Sequence, residues 1–465
     1  MINIKDHGAR GVAVSAETQV CPARVHAGWS PGAELRRVIM RAPESDPSAR
    51  DTQALQAAID AAAAQGGGTV VVPPGDYLTG PLWLRSHVYL KLEPGATLWG
   101  SPELDDYQAD SEVEEGTHGT THVTGKARNI GLINADNLVD TGLIGPGRLH
   151  GQGGAFLIPW WRADKAYTLK RPFRLICFKA CEQVTVEGIR IEDSPGWTLV
   201  FKDCRHVRVS GVRIHNCHGP NVDGIDLENT RFATVSDCDI FTTDDGICLK
   251  SPDPEGIVEN IAVTNCHVRT LCNAFKIGTE TLGTVRDVVF SNCTAYNPEG
   301  DLVNGIAAIA VCACDGGVVE RVRFQNITAR NLRAAFYLHV GKRLRYQSAC
   351  RAPRAGRLRE VCLSGIRAAG CVLPSFVSGL SSQPVEGLCL SDIRLEGHWA
   401  SGGGEGHPPE KPDAYPSATM FGPLPAQCLY LRHVGGLDAD RIRLTGCEKS
   451  DTRPARLDLN ANPES

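Results

Sequence analysis

From residue 170 onward the chain repeats a short β unit about every 23 to 27 residues. Cys181-Glu-Gln-Val-Thr-Val leads to Ile189-Arg-Ile, Cys204-Arg-His-Val-Arg-Val to Val212-Arg-Ile, and Thr230-Arg-Phe-Ala-Thr-Val to Cys238-Asp-Ile. Similar units run from Val258 to Thr264, Val285 to Phe290 and Val319 to Ile327. Each unit carries short strands with one apolar face and cannot bury that face alone. Stacking successive coils buries it. A doubly wound sheet needs helical segments of roughly 10–15 residues between its strands, and these are missing from the sequence. The spacing predicts an all-β chain, a parallel β-helix, read as one domain over 1–465.

Residues 51–65 break the β pattern and read as a helix. Alanine is dense, Leu55, Ile59 and Ala62/Ala63 share a face, Asp51 stands at the cap position and Gly66 at the stop. An open coil end exposes backbone and core, so this helix is expected to cap the N-terminal end. Four segments leave the repeat. Residues 12–48 read as an irregular insertion. Residues 341–360, with seven Lys/Arg and one acid, and residues 401–413 read as inserted loops. Residues 451–465 read as a polar tail.

A net charge of −5 gives no whole-surface attraction for nucleic acid. No apolar run approaches the roughly 18 residues of a membrane span. The first residues lack a basic region followed by an apolar core, so a cytoplasmic location is expected. The 18 cysteines do not read as a disulfide framework. Asn216-Cys217, Asn265-Cys266 and Asn292-Cys293 recur at one place in the unit, as reduced, buried small residues would. Cys312-Ala-Cys314 has no companion pair at zinc spacing, and there is no nucleotide fingerprint. Neither a metal nor a cofactor is expected.

Two strings carry the chemistry: Asn221-Val222-Asp223 and, 21 residues later, Asp244-Asp245. Residues one coil apart stack at roughly 4.7–4.9 Å, so Asp223 is expected to face Asp244 and Asp245. Carboxylates that close repel, which raises at least one pKa. An acid held beside ionised carboxylates is the equipment for hydrolysing a glycosidic bond. Asn221 either orients Asp223 or closes a turn. Lys276 and Glu280, in Phe275-Lys-Ile-Gly-Thr-Glu, lie one coil further on and are candidates for sugar contacts. Lys250 and Lys276 read equally as solvated edge lysines. Trp160 and Trp161 read as a sugar-stacking platform or as loop anchors. His218 and His267 read as structural, and His339 as a residue aimed into the cleft. The basic run from Lys342 to Arg359 reads as a solvated loop or as a grip on an acidic oligosaccharide.

With these residues in hand, the chain resembles glycoside hydrolase family 28, the polygalacturonase-like family. Gly66-Gly-Gly-Thr-Val-Val-Val-Pro-Pro-Gly-Asp-Tyr and Leu92-Glu-Pro-Gly-Ala-Thr-Leu-Trp-Gly-Ser-Pro look like its opening coils. Gly151-Gln-Gly-Gly and Trp160-Trp161 look like its first active-side loop. Tyr415-Pro-Ser-Ala-Thr-Met-Phe-Gly-Pro-Leu and Leu429-Tyr-Leu-Arg-His-Val look like a bacterial branch, which marks Tyr415 and Arg432 as candidates to touch a terminal sugar. The resemblance implies a right-handed, pectin-lyase-like solenoid that binds carbohydrate. It implies Asp244 as general acid, with Asp223 and Asp245 positioning and deprotonating water, and inversion at the anomeric carbon. Two family motifs are missing. Cys272-Asn273-Ala274 stands where the family has Gly-His-Gly, so Asn273 replaces the histidine. Gly305-Ile-Ala-Ala-Ile-Ala stands where the family has the Arg-Ile-Lys that grips a galacturonate carboxylate. The expected activity is exo-acting hydrolysis of a galacturonan- or rhamnogalacturonan-type pectic chain. Its rivals are a β-helix polysaccharide lyase and a noncatalytic carbohydrate-binding β-helix.

Overall fold

The repeat units fold as strands that pair in parallel with their counterparts one coil on, and the chain is a right-handed parallel β-helix. The computed structural model describes residues 1–11, 15–22, 34–41, 50–107, 130–156, 171–216, 219–297, 305–343, 354–397, 406–447 and 451–459. These fall into two compact units: Met1–Asp226 with Phe232–Asp244, and Leu227–Arg231 with Asp245–Ser465.

In the first unit, Glu182–Glu187 pairs with Arg205–Ser210 so that Val184 meets Val207 and Val186 meets Val209. All four valines are buried, whereas Glu182 and Glu187 face out. A second sheet pairs Arg174–Lys179 with Trp197–Lys202, aligning Phe178 with Phe201. Their rings stack at 5.4 Å, a contact that adds about 0.5–1.5 kcal/mol to the area buried.

The helix Thr52–Ala64 packs Leu55, Ala58, Ile59 and Ala62 inward. Gly66 at φ +89 ends it, and Gly67 N–H bonds back to the Ala62 carbonyl at 2.9 Å. Asp51 does not cap the helix. Its side chain makes no bond to the first turn and instead accepts the Arg10 backbone N–H at 2.7 Å. The carboxylate thus ties the N-terminal segment to the helix entry.

In the second unit, Ile257–Thr264, Thr284–Ser291, Val318–Gln325 and Arg357–Ser364 stack in register. Val263, Phe290, Phe324 and Leu363 fall on one line, and Phe290 and Phe324 stack at 4.7 Å. The other sheet runs from Ile247–Ser251 through Asn273–Thr281 and Gly305–Ala313 to Leu332–Val340. Its register sets Cys248 beside Lys276, Lys276 beside Ala310 and Ala310 beside Tyr337. Alanines therefore stand next to Asn273 and Lys276.

The cysteine rule has a local cause. Asp203, Asp237, Asn265 and Asn292 each adopt a left-handed backbone with φ of 55–58°, which Asn and Asp tolerate better than most residues. The following cysteines, Cys204, Cys238, Cys266 and Cys293, turn inward and donate Sγ–H to the carbonyl two residues back at 3.1–3.3 Å. Cys217 lies outside the described residues.

Three expectations are corrected. The insertion 12–48 is not wholly irregular, because Ser15–Pro22 and Glu34–Arg41 form an antiparallel pair. The polar tail contains a strand, Arg456–Asp458, paired with Leu429–Arg432. The basic run is not wholly a solvated loop where it is described: Lys342, Arg354 and Arg357 are exposed, but several of its arginines are paired. Arg343 forks onto Asp315, Arg354 donates to the Gly316 carbonyl and Arg359 to Glu320. Arg357 opens a ladder strand.

Candidate active site

The first unit holds Asn221, Asp223 and Asp244. Asn221 sits at φ +53, and from there both its backbone N–H (3.2 Å) and its side-chain amide (3.4 Å) reach Asp244 Oδ2. The coil-to-coil alignment that spacing predicts is visible in the backbone. The Val222 carbonyl accepts the Asp244 N–H at 3.2 Å and the Thr242 hydroxyl, and Thr243 donates to the Gly219 carbonyl at 2.6 Å. Asp223 is buried, with its carbonyl accepting Thr198 N–H at 3.0 Å. Asp244 is half-buried. Asn221 orients Asp244 and not, as its place two residues before Asp223 suggests, Asp223.

Sequence reasoning missed Arg171. It is 1% exposed and spans two turns, with Nη1 donating to the carbonyls of Pro195 (2.5 Å) and Pro220 (2.7 Å). Burial pushes its pKa down to about 10, opposed by the charges of Asp223 and Asp244. No spacing argument finds it, because it precedes the first plain repeat.

The second unit holds Asp245, Lys250, Asn273, Lys276, Glu280 and Tyr415. Asp245 is not one of three mutually repelling carboxylates without a counter-ion. Lys276 Nζ lies 2.6 Å from its Oδ2, with both side chains 3% exposed, and Asn273 Nδ2 donates to its Oδ1 at 2.8 Å. Burial works to lower the Lys276 pKa, but Asp245, Tyr415, Cys248 and Cys272 outweigh it and hold the ammonium well above the usual lysine value. Lys250 is buried too, so neither lysine is a solvated edge residue.

Glu280 is buried among cations. Burial alone would raise its pKa, yet Lys250, Arg343 and Lys276 bring it down to about 2. Tyr415 is 56% exposed. Its hydroxyl is 3.5 Å from Lys276 Nζ, and its ring faces both Lys276 at 5.9 Å and Arg343 at 5.8 Å. Arg343 was legible only as a basic residue. Its partner Asp315 lies 28 residues away.

Three further residues have partners within the fold. His339 is fully buried, edge-on to Phe421, and does not open into a cleft. Arg432 is buried, donating to Ser378 and the Pro408 carbonyl. His267 bonds to Thr294 in the ladder. Trp160, Trp161 and His218 lie outside the described residues.

Residues 84–398 match the model of Glycosyl hydrolases family 28. The chain belongs to this family, and it is a glycoside hydrolase. The matched stretch contains every acidic residue just described, whereas Tyr415 lies beyond it. Among curated relatives, a probable polygalacturonase of Vitis vinifera is 25% identical over 365 residues, covering 75% of this chain and 72% of the relative. An endo-polygalacturonase of Pectobacterium carotovorum subsp. carotovorum is 28% identical over 269 residues. That match covers 55% of this chain and 63% of the relative. Among solved structures, a hyperthermoactive exopolygalacturonase from Thermotoga maritima shares the fold. It aligns with a TM-score of 0.65 at 22% identity, covering 85% of this chain and 87% of that one.

Proposed function

We propose that this family 28 member hydrolyses α-glycosidic bonds of a pectin-derived chain or oligosaccharide with inversion, acting from a chain end. Asp244 protonates the glycosidic oxygen. Asp223 and Asp245 orient a water molecule and take its proton as it attacks the anomeric carbon. The leaving sugar departs with the proton of Asp244, and the new C–O bond forms from the opposite face.

The observation that carries this reading is the difference between neighbouring aspartates. Asp245 has a buried counter-ion in Lys276, which a carboxylate needs to stand charged in the interior. Asp244 Oδ2 accepts hydrogen bonds from the neutral amides of Asn221, which that oxygen can keep while the other carboxyl oxygen carries the proton it donates. The relatives' names, polygalacturonase and endo-polygalacturonase, support a pectic substrate. Between galacturonan and rhamnogalacturonan types we favour the second. The Arg-Ile-Lys clamp is missing, and the cations facing Tyr415 already have anionic partners, Lys276 in Asp245 and Arg343 in Asp315. Fifteen cysteines among the described residues are free thiols, which supports a reducing, cytoplasmic setting.

The test is product analysis on polygalacturonate and on rhamnogalacturonan oligosaccharides, with Asp244→Asn as control. Reducing ends from the rhamnogalacturonan oligosaccharides, absent with the variant, are expected. Unsaturated products absorbing near the ultraviolet edge would establish a lyase. Sugar binding without turnover would establish a noncatalytic β-helix.

A further inference from the structure

Arg171 is a buried guanidinium with one edge spoken for. Nη1 bridges the Pro195 and Pro220 carbonyls, one on each of two turns. Nε and Nη2, which together form a planar two-donor fork, are buried and have no hydrogen-bond partner among the described residues. A buried, incompletely paired cation destabilises a fold, so packing alone does not account for it.

Two features of its surroundings do. Pro220 immediately precedes Asn221, the residue that holds Asp244 Oδ2, and Asp223 follows two residues later. Among the described residues, the charges that act on Arg171 are those of Asp223 and Asp244. The neutral Asn221 and Thr243 secure the same turn.

We propose that Arg171 is a positioning residue for hydrolysis, fixing the turn that carries Asn221 and Asp223 and supplying a permanent positive charge to Asp223 and Asp244. It touches neither substrate nor the reacting atoms in this role. The charge helps the buried Asp223 stand ionised, and the two carbonyl bonds keep Asn221 in reach of Asp244. The inference rests on the hydrolase reading for the roles of the two aspartates, but not for the charge relationship itself.

Two variants separate charge from packing: Arg171→Met, similar in length and neutral, and Arg171→Lys, which keeps the charge. The first readout needs no turnover. Aspartate ¹³C-carboxyl signals, assigned through Asp223→Asn and Asp244→Asn, are titrated in the wild type and both variants. Loss of a nearby positive charge raises a carboxylate pKa, so Asp223 and Asp244 should titrate at higher pH in Arg171→Met and near their wild-type values in Arg171→Lys. The second readout is kinetics on whichever oligosaccharide the wild type hydrolyses. For Arg171→Met, kcat should fall by about 100-fold or more, with KM nearly unchanged and both limbs of the pH profile displaced upward. Arg171→Lys should restore the profile and part of kcat. Carboxyl titrations that ignore the substitution would overturn the proposal, as would equal losses in both variants with an unmoved profile. A wild type inert on all glycosides, with the titrations shifted as described, would remove the hydrolase reading and leave the charge relationship standing.

Discussion

Lys276 Nζ and Asp245 Oδ2 lie 2.6 Å apart, with both side chains 3% exposed. Removing one member of such a pair strands a charge in the interior, which costs about 3–5 kcal/mol. Lys276→Met should therefore lower unfolding stability by that order and also cut kcat steeply. Pairing it with Asp245→Asn should recover much of the stability and none of the activity. Urea unfolding and steady-state kinetics on the two proteins check this. Recovery of activity in the double variant would contradict the role of Asp245 as base.

Asn273, which the sequence resemblance sets at the family's histidine position, spends its amide on Asp245 Oδ1. Restoring the histidine leaves Ala307 beside it and Ala310 beside Lys276, where the resemblance puts the missing Arg-Ile-Lys clamp. Asn273→His should therefore show no gain on polygalacturonate. A large gain in reducing-end release would place the specificity element at residue 273.

Glu280 gives a pH signature. Its carboxyl sits at about 2 in the folded protein against an ordinary 4.5. A depressed carboxyl stabilises the fold above its unfolded pKa, and that stability is lost as pH falls toward the folded value. Wild type should therefore exceed Glu280→Gln in stability at neutral pH, with the gap closing between pH 4.5 and pH 2. Unfolding free energies measured across that window decide it, and a gap that grows on acidification would refute the assignment.

His339 acts over a higher window. Burial first, and then the Arg432 guanidinium, hold its pKa down to about 4 against an ordinary 6.5. The unfolded chain takes up a proton that the folded protein refuses between these values. Stability should be complete above pH 6.5 and decline as pH falls toward 4. The His339→Leu variant should lack this part of the decline. Parallel pH–stability curves for the two proteins would contradict the burial argument.

The repeat made the fold legible because one coil supplies an apolar face and the next covers it, as Val184 and Val207 do. It also made the alignment of the Asn221–Asp223 and Asp244 segments legible, since coil spacing alone sets the Val222–Asp244 bond. Ion pairs were not legible in the same way. Asp245 with Lys276 and Arg343 with Asp315 join residues about 30 positions apart, and their side-chain directions follow from strand register, not spacing. Arg171 lies ahead of the first clear unit, which begins at Cys181, so no period marks it. Asp51 sits at a cap position, yet competition from the Arg10 backbone draws its carboxylate away. The antiparallel pair within 12–48 stands outside the repeat, so the coil period carries no trace of it.

The central claim is hydrolysis with inversion driven by Asp244, and the most direct measurement is ¹H NMR of the newly released anomeric proton during the first minutes of turnover on rhamnogalacturonan oligosaccharides. The β-anomer should appear first from the α-linked substrate and then mutarotate, with no signal from Asp244→Asn. Initial release of the α-anomer, or unchanged release by Asp244→Asn, would contradict it.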